Sequence, residues 1–444
     1  MASNSPSSSA QTVVIKVGTS SICDEVTHRP RLALLAALVE TIVALREAGH
    51  RVVLVTSGAI GVGLRATNEA TRPKKLARLQ ALAAIGQAQL MAQYAALFSP
   101  FDVQVAQILI SRGDVADRHR YLNACNALRE LLDMGMVPVV NENDAVSVAE
   151  IKFGDNDTLS AVVARMVAAQ WLFLLTDVDA LYTDNPRTNP DAMPVRVVRD
   201  LLALREQVKV PAGAGSSVGT GGMETKLVAA ELATAAGVTT VILNAQRPRD
   251  LVAAMSQALP AAADAADNVG DEVKAVAHLL GTRFVPPQES APLPDRKWWI
   301  RHGLRPAGTV LVDMGAMNAL ADHRASLFPA GIVGVIGQFA ATQAVTIVAV
   351  SNKTDRAALR SATDLTQLTD PVTIGKGLIN YSAAELRLIM GHQSAEVAEI
   401  LGYAESEAVI DRSSIVLEPG VGRARRASSG RPRTSESNSS IASE

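Results

Sequence analysis

Six short runs, 12–17 (TVVIKV), 51–55 (RVVLV), 103–110, 136–140, 171–175 and 239–243, are apolar along nearly their whole length. Strands covered on both faces read this way, whereas half-exposed strands alternate. Between them, residues 31–48, about 74–98, 117–134, 157–169 and a segment from Met223 carry helical apolar spacing. Gly49, Gly135 and Gly237 stand just past three of these segments, where helix C-termini favour glycine. The alternation predicts α/β architecture: a three-layer α/β/α sandwich around a mostly parallel sheet. After about residue 295 the rhythm changes to short strand-like runs punctuated by Gly and Pro, which predicts a second, small β-rich domain.

Composition bounds this picture. At 444 residues the chain exceeds one ordinary core, and 48% hydrophobic with 19% charged residues is globular. A net charge of −2 gives the molecule no general bias toward nucleic acid. Cys23 and Cys125 are the whole cysteine complement, which excludes a disulfide framework and a cysteine-based zinc site. The Ser-rich start lacks the marks of a secretory or transit peptide, and no apolar run reaches bilayer-spanning length. A cytoplasmic protein is expected. The expected division is a disordered leader over 1–10, the α/β domain over 11–285, a linker over 286–295, the β-rich domain over 296–410 and a disordered Arg- and Ser-rich tail over 411–444.

In open α/β sheets, ligands bind beyond the carboxyl ends of the strands. Four of those ends carry unusual residues: Lys16-Val17-Gly18-Thr19, Thr56-Ser57-Gly58, Asn141–Asp144 and Thr176-Asp177. The third opens the stretch NENDAVSVAEIKFGDNDTLS (141–160), with five carboxylates and three side-chain amides, a composition suited to holding an amine or a cation. A solvated acidic loop is the plainer alternative. Gly219–Lys226 (GTGGMETK) packs three glycines ahead of a helix and a lysine one turn inside it, so free N–H groups and a mobile charge could meet an anion. It is not a Walker A loop, and a flexible glycine loop without ligand remains the alternative. The chain has ten lysines against 32 arginines, yet both glycine turns use lysine. Lys16 interrupts an apolar strand, which is costly unless an anion meets it or the side chain snorkels. The turn Gly58–Gly63 has the wrong spacing for a dinucleotide fingerprint; with the Ser57 hydroxyl its N–H groups could bind a small carboxylate.

In this order, VVIKVGTS, VTSGAIGVG, VPVVNENDAVSVAEIKFGDND, LLTDVDALYTDNPR and VGTGGMETK resemble the glutamate 5-kinase (gamma-glutamyl kinase) family of the amino-acid kinase superfamily, over about residues 12–250. Segments 297–300, 305–315, 324–332 and 374–386 resemble the PUA domain appended to many members. The resemblance implies ATP-dependent phosphorylation of the L-glutamate γ-carboxylate, the first step of proline biosynthesis, with ATP and Mg²⁺, feedback by L-proline, a homo-oligomer and a downstream glutamyl phosphate reductase. It implies that Lys16 and Lys226 flank the transferring phosphoryl group and that Asp157, assisted by Asp155, orients them. Ser57, Gly58, Asn141, Asp144 and Asn156 would hold glutamate. Lys16, Thr176, Asp177, Thr220, Gly221, Gly222, Met223 and Lys226 would bind ATP, and no residue is assigned as a metal ligand.

The chemistry agrees, since a carboxylate nucleophile is already ionised and needs no general base. No histidine falls in these motifs. Two other readings stand beside this one. One is a different amino-acid kinase, acting on aspartate, acetylglutamate or carbamate. The other is an RNA-binding protein using its PUA module, for which nine Lys and Arg against five Asp over 296–381, net +4, is a weak footprint.

Overall fold

The computed structural model describes residues 10–146 (Glu25 apart), 156–204 (Arg187 and Leu202 apart), 222–259, 276–287, 295–351 (Arg305 apart) and 359–421 (360, 361, 369, 404, 405, 419 and 420 apart). The leader through residue 9, Asp155, Thr220, Gly221 and the tail from 422 lie outside the described residues. The chain divides between Leu293 and Pro294 into two compact units.

The first unit holds strands β1 (Thr12–Val17), β2 (Arg51–Thr56), β3 (Val105–Ile110), β4 (Val137–Glu142), β5 (Trp171–Thr176), β6 (Leu181–Tyr182), β7 (Pro194–Val195), β8 (Val197–Val198), β9 (Thr239–Asn244) and β10 (Thr282–Phe284). Eight of them form one sheet in the order β3-β4-β2-β1-β5-β9-β10-β8, while β6 and β7 pair separately. All neighbours from β3 to β9 are parallel. β10 runs antiparallel to β9, with β8 alongside it. These last two strands escaped the sequence pattern because runs of two and three residues carry no periodicity. β4 also extends past Val140, so Asn141 and Glu142 belong to the strand and are buried.

The connecting helices are α1 (Thr19–Ile22), α2 (Leu32–Glu47), α3 (Ala59–Ala66), α4 (Leu76–Phe98), α5 (Arg112–Ala116), α6 (Arg118–Asp133), α7 (Asn156–Met166), α8 (Met223–Ala235) and α9 (Asp250–Ser256). Val13, Ile15 and Val17 of β1 join the core made with α2, α4 and α9. Successive strand side chains point to opposite faces, so Lys16 faces the other layer, where it meets α7. Cys23 and Cys125 are both free and buried.

Two glycines set how closely α3 and α4 pack. A methyl on Gly63 would run into the carbonyl of Leu82, and one on Gly86 into the carbonyl of Ala59. The expected turn over 58–63 is therefore a turn only at Gly58. Gly58 sits at φ +100° as the N-cap of α3, and a Cβ there would lie 2.6 Å from Ile22 Cδ1. Gly61 and Gly63 are helical.

The second unit is a five-stranded sheet in the order β12-β11-β13-β14-β15, where β11 is Gly308–Val312, β12 Ile332–Gly337, β13 Ala344–Ala349, β14 Val372–Leu378 and β15 Ile415–Leu417. Helices α10 (Met314–His323) and α11 (Ala383–Ile389) contribute Leu320, Leu386 and Ile389 to its core. β15 corrects the expectation of a disordered tail from 411. It pairs with β14, and Ile415 and Val416 are buried. The Arg- and Ser-rich composition of residues 423–440 obscured, in the sequence, the three apolar residues that close this sheet.

Candidate active site

Parallel pairing brings the carboxyl ends of β1, β2, β4 and β5 to one edge, with Val17 opposite both Thr56 and Leu175. The N-termini of α7 and α8 arrive at the same edge through Asp157 and Lys226.

Asp157, in the first turn of α7, is fully buried, and Lys16 and Lys226 are each 5% exposed. The Asp157 carboxylate stands between the two ammoniums, Oδ1 at 2.5 Å from Lys16 Nζ and Oδ2 at 3.2 Å from Lys226 Nζ. The Thr225 hydroxyl is 2.8 Å from Oδ2 and could donate to it. Burial alone would push this carboxyl up, but the two ammoniums, with hydrogen bonds from Lys16 and Thr225, hold it at about 2. Among the described residues, two buried ammoniums flank this one carboxylate, an arrangement that suits an anionic group between them.

A chain of amides stands beside this centre. Asn156 Nδ2 lies 2.9 Å from the Thr56 carbonyl, 2.7 Å from Ser57 Oγ and 2.9 Å from Asn141 Oδ1. Asn141 Nδ2 donates to Gln87 Oε1 (2.9 Å), and Gln87 Nε2 donates to Gln107 Oε1 (3.0 Å). Gln87 and Gln107 were absent from the sequence expectations. Gln87 had a signal: it falls on the apolar stripe Ala83, Gln87, Leu90, Tyr94 of α4, where a polar residue is out of pattern. Gln107 had none. Asp144 lines a cavity of about 270 Å³ with Ala59, Gln87, Gln107, Glu142 and Asn143. Thr176 and Asp177 follow β5, with Thr176 Oγ1 3.2 Å from Asp177 Oδ1. Gly222 caps α8 and Met223 opens it.

The described side chains do not fit a magnesium cage. Both Asp157 oxygens are engaged by lysines, and no group of three His, Cys, Asp or Glu side chains is gathered among the described residues. Magnesium is commonly held by one or two carboxylates plus substrate phosphates, so the ion would enter with the nucleotide.

A mostly parallel sheet with one buried lysine near the end of β1 and another in the first turn of α8 suits phosphoryl transfer, and the profile of the amino acid kinase family matches residues 11–244, which makes this a phosphotransferase of the amino acid kinase class. A PUA domain profile matches residues 308–401. A Schizosaccharomyces pombe protein described as a probable glutamate 5-kinase is 45% identical over 407 residues, covering 91% of this chain and 93% of its own. Glutamate 5-kinase of Synechococcus elongatus is 43% identical over 410 residues, covering 92% and 100%. The chain belongs to the glutamate 5-kinase family.

Proposed function

We infer that this chain catalyses ATP-dependent phosphorylation of the L-glutamate γ-carboxylate, giving L-glutamyl 5-phosphate at the entry to proline biosynthesis. The observation that carries the reading is the buried Lys16–Asp157–Lys226 triad at the sheet's carboxyl edge, in a chain 43–45% identical to glutamate 5-kinases over nine-tenths of its length. A γ-carboxylate oxygen attacks the γ-phosphorus of ATP, the bond from that phosphorus to the β,γ-bridging oxygen breaks, and ADP leaves. No proton moves, so no general base is needed.

Such a transfer is driven by positioning and charge neutralisation. Lys16 and Lys226 flank the transferring group, and Asp157 holds both ammoniums in place. The α8 N-terminus at Gly222–Met223, with Thr220 and Gly221 before it and Thr176 and Asp177 beyond β5, serves the nucleotide; Mg²⁺ comes with its phosphates, and Asp155 assists Asp157. For glutamate, the Ser57 hydroxyl and the N–H groups after Gly58 suit the α-carboxylate. Asp144 and the Asn156 carbonyl suit the α-ammonium, with Asn141 bracing Asn156.

Three finer features rest on the family resemblance: inhibition by L-proline, a homo-oligomer, and a reductase that consumes the labile acyl phosphate. The edge strand β3 suits the second, because Val105, Ala106, Ile108 and Leu109 are only half-buried. Among the described residues no helix is long and apolar enough to cross a membrane, and a cytoplasmic site of action is part of the proposal. The test is ADP release by the purified chain with L-glutamate, L-aspartate, N-acetyl-L-glutamate or carbamate. Glutamate alone should support turnover; preference for another acceptor would overturn the reading.

A further inference from the structure

Backbone groups fix the polarity of the amide chain. The Glu142 N–H can only donate, and it lies 2.9 Å from Asn141, so the Asn141 oxygen must face it. The Thr56 carbonyl can only accept, so the Asn156 nitrogen must face Thr56. With its oxygen committed to Glu142 and Asn156, Asn141 presents its NH₂ to α4, where Gln87 Oε1 is the acceptor. Asn141 is 1% exposed and Gln87 7%. The opposite end of the Asn156 amide, Oδ1, is buried without a hydrogen-bond partner among the described residues. That acceptor stays available only while the NH₂ is held by Thr56, Ser57 and Asn141.

We propose that Gln87 is a positioning residue for the amino-acid substrate: its side-chain carbonyl locks the Asn141 amide, which keeps the Asn156 carbonyl oxygen directed away from Thr56, Ser57 and Asn141 as an acceptor for the substrate's ammonium. The inference rests on the glutamate reading above. Without Gln87 Oε1, the buried Asn141 NH₂ has no acceptor, an arrangement native interiors avoid. Flipping Asn141 would set its NH₂ against the Glu142 N–H and the Asn156 NH₂, which is no better. The strain is relieved by movement of Asn141, and Asn156 loses one of the three contacts that orient it. Lys16, Asp157 and Lys226 are held by other bonds, so phosphoryl transfer itself should be little affected once glutamate is bound.

Gln87→Met keeps the length and removes the acceptor; Gln87→Glu keeps an oxygen toward Asn141 and lets the Gln107 amide turn to donate. Steady-state kinetics should show KM for glutamate raised about tenfold or more in Gln87→Met, with KM for ATP and kcat within about threefold. In Gln87→Glu, KM for glutamate should return to within about threefold of the parent. In an Asn141→Ala background, where the intermediary is missing, Gln87→Met should add less than about twofold. An unchanged glutamate KM in Gln87→Met, an equal loss for both substrates, or full additivity with Asn141→Ala would overturn the proposal. If Gln87→Met does not fold, Gln87→Glu decides alone, because a tenfold rise there contradicts an acceptor role. Absence of glutamate turnover in the parent would instead fault the glutamate reading.

Discussion

Gln87 and Tyr94 lie two turns apart on one face of α4 and hold the ends of two different strands. Gln87 accepts from Asn141 at the end of β4, and the Tyr94 hydroxyl lies 2.9 Å from Thr56 Oγ1 at the end of β2. A side-chain spacing of seven on a helix becomes the spacing between two strand ends at the site. Tyr94 is 1% exposed, and burial pushes its phenol above the ordinary tyrosine range, keeping it protonated. Tyr94→Phe should therefore cost about 1 kcal/mol of stability, the usual worth of one hydrogen bond. Urea denaturation measures it; a variant as stable as the parent would show that the bond contributes nothing.

Lys16→Ala and Lys226→Ala should each lower kcat by about a hundredfold or more, since each removes a charge partner of the transition state. Turnover near the parent's, in protein shown to be folded by circular dichroism, would remove either lysine from the chemistry.

Asp157→Asn leaves two ammoniums buried side by side and should destabilise the first unit by about 3 kcal/mol or more. The depressed carboxyl also sets a pH dependence. Its contribution to stability is complete above the unfolded value near 4, and is lost as pH falls from there through the folded value of about 2. Thermal melts from pH 7 down to pH 4.5 should show no loss traceable to this group, with its share appearing only in stronger acid. A step in the parent near pH 6 that is absent from Asp157→Asn would contradict the pairing.

Gly86→Ala, a change that improves helix propensity, should nonetheless destabilise by about 2 kcal/mol or more, because its methyl must displace the backbone of α3 at Ala59. The comparison is with Ala84→Gly on the exposed side of the same helix, where only propensity acts and a loss of about 1 kcal/mol is expected. A gain in stability from Gly86→Ala about equal to the loss from Ala84→Gly would mean that α3 yields freely.

L-Proline carries the α-carboxylate and a secondary α-ammonium, so Ser57 and Asp144 could hold it as they would hold glutamate. Inhibition by proline should be relieved by raising glutamate, and Asp144→Ala should weaken both ligands together. Undiminished proline potency at saturating glutamate would place the two at separate sites.

Much of the fold was legible because a doubly covered parallel sheet writes its strands as solid apolar runs, and β1 was found to the residue. Lys16 was legible for the same reason: a cation inside such a run is an exception that physics must explain. What stayed hidden was of two kinds. β8, β10 and β15 are too short for any period, and their pairing depends on partners distant in sequence. Gln87 broke the stripe of α4, but what it holds is decided by how closely that helix approaches β4. Gly63 and Gly86, which set how closely α3 and α4 pack, read in the sequence only as small residues. Asp155, Thr220 and Gly221 lie outside the described residues, and the roles proposed for them rest on the motifs alone.

Lys16, Asp157 and Lys226 come from the first strand, the middle and the later part of the kinase unit. During synthesis, the ammonium of Lys16 meets the Asp157 carboxylate only once α7 has been made, and the second ammonium waits for α8. Each member makes burial of the others affordable, so the centre closes late and as one event. A chain stalled or clipped before α8 would carry the residues proposed for glutamate and five adjacent strands of the eight-stranded sheet, yet would lack Lys226. Quality control is thus inherent in the order of the polypeptide, with catalytic competence arriving only when the long-range contacts are complete.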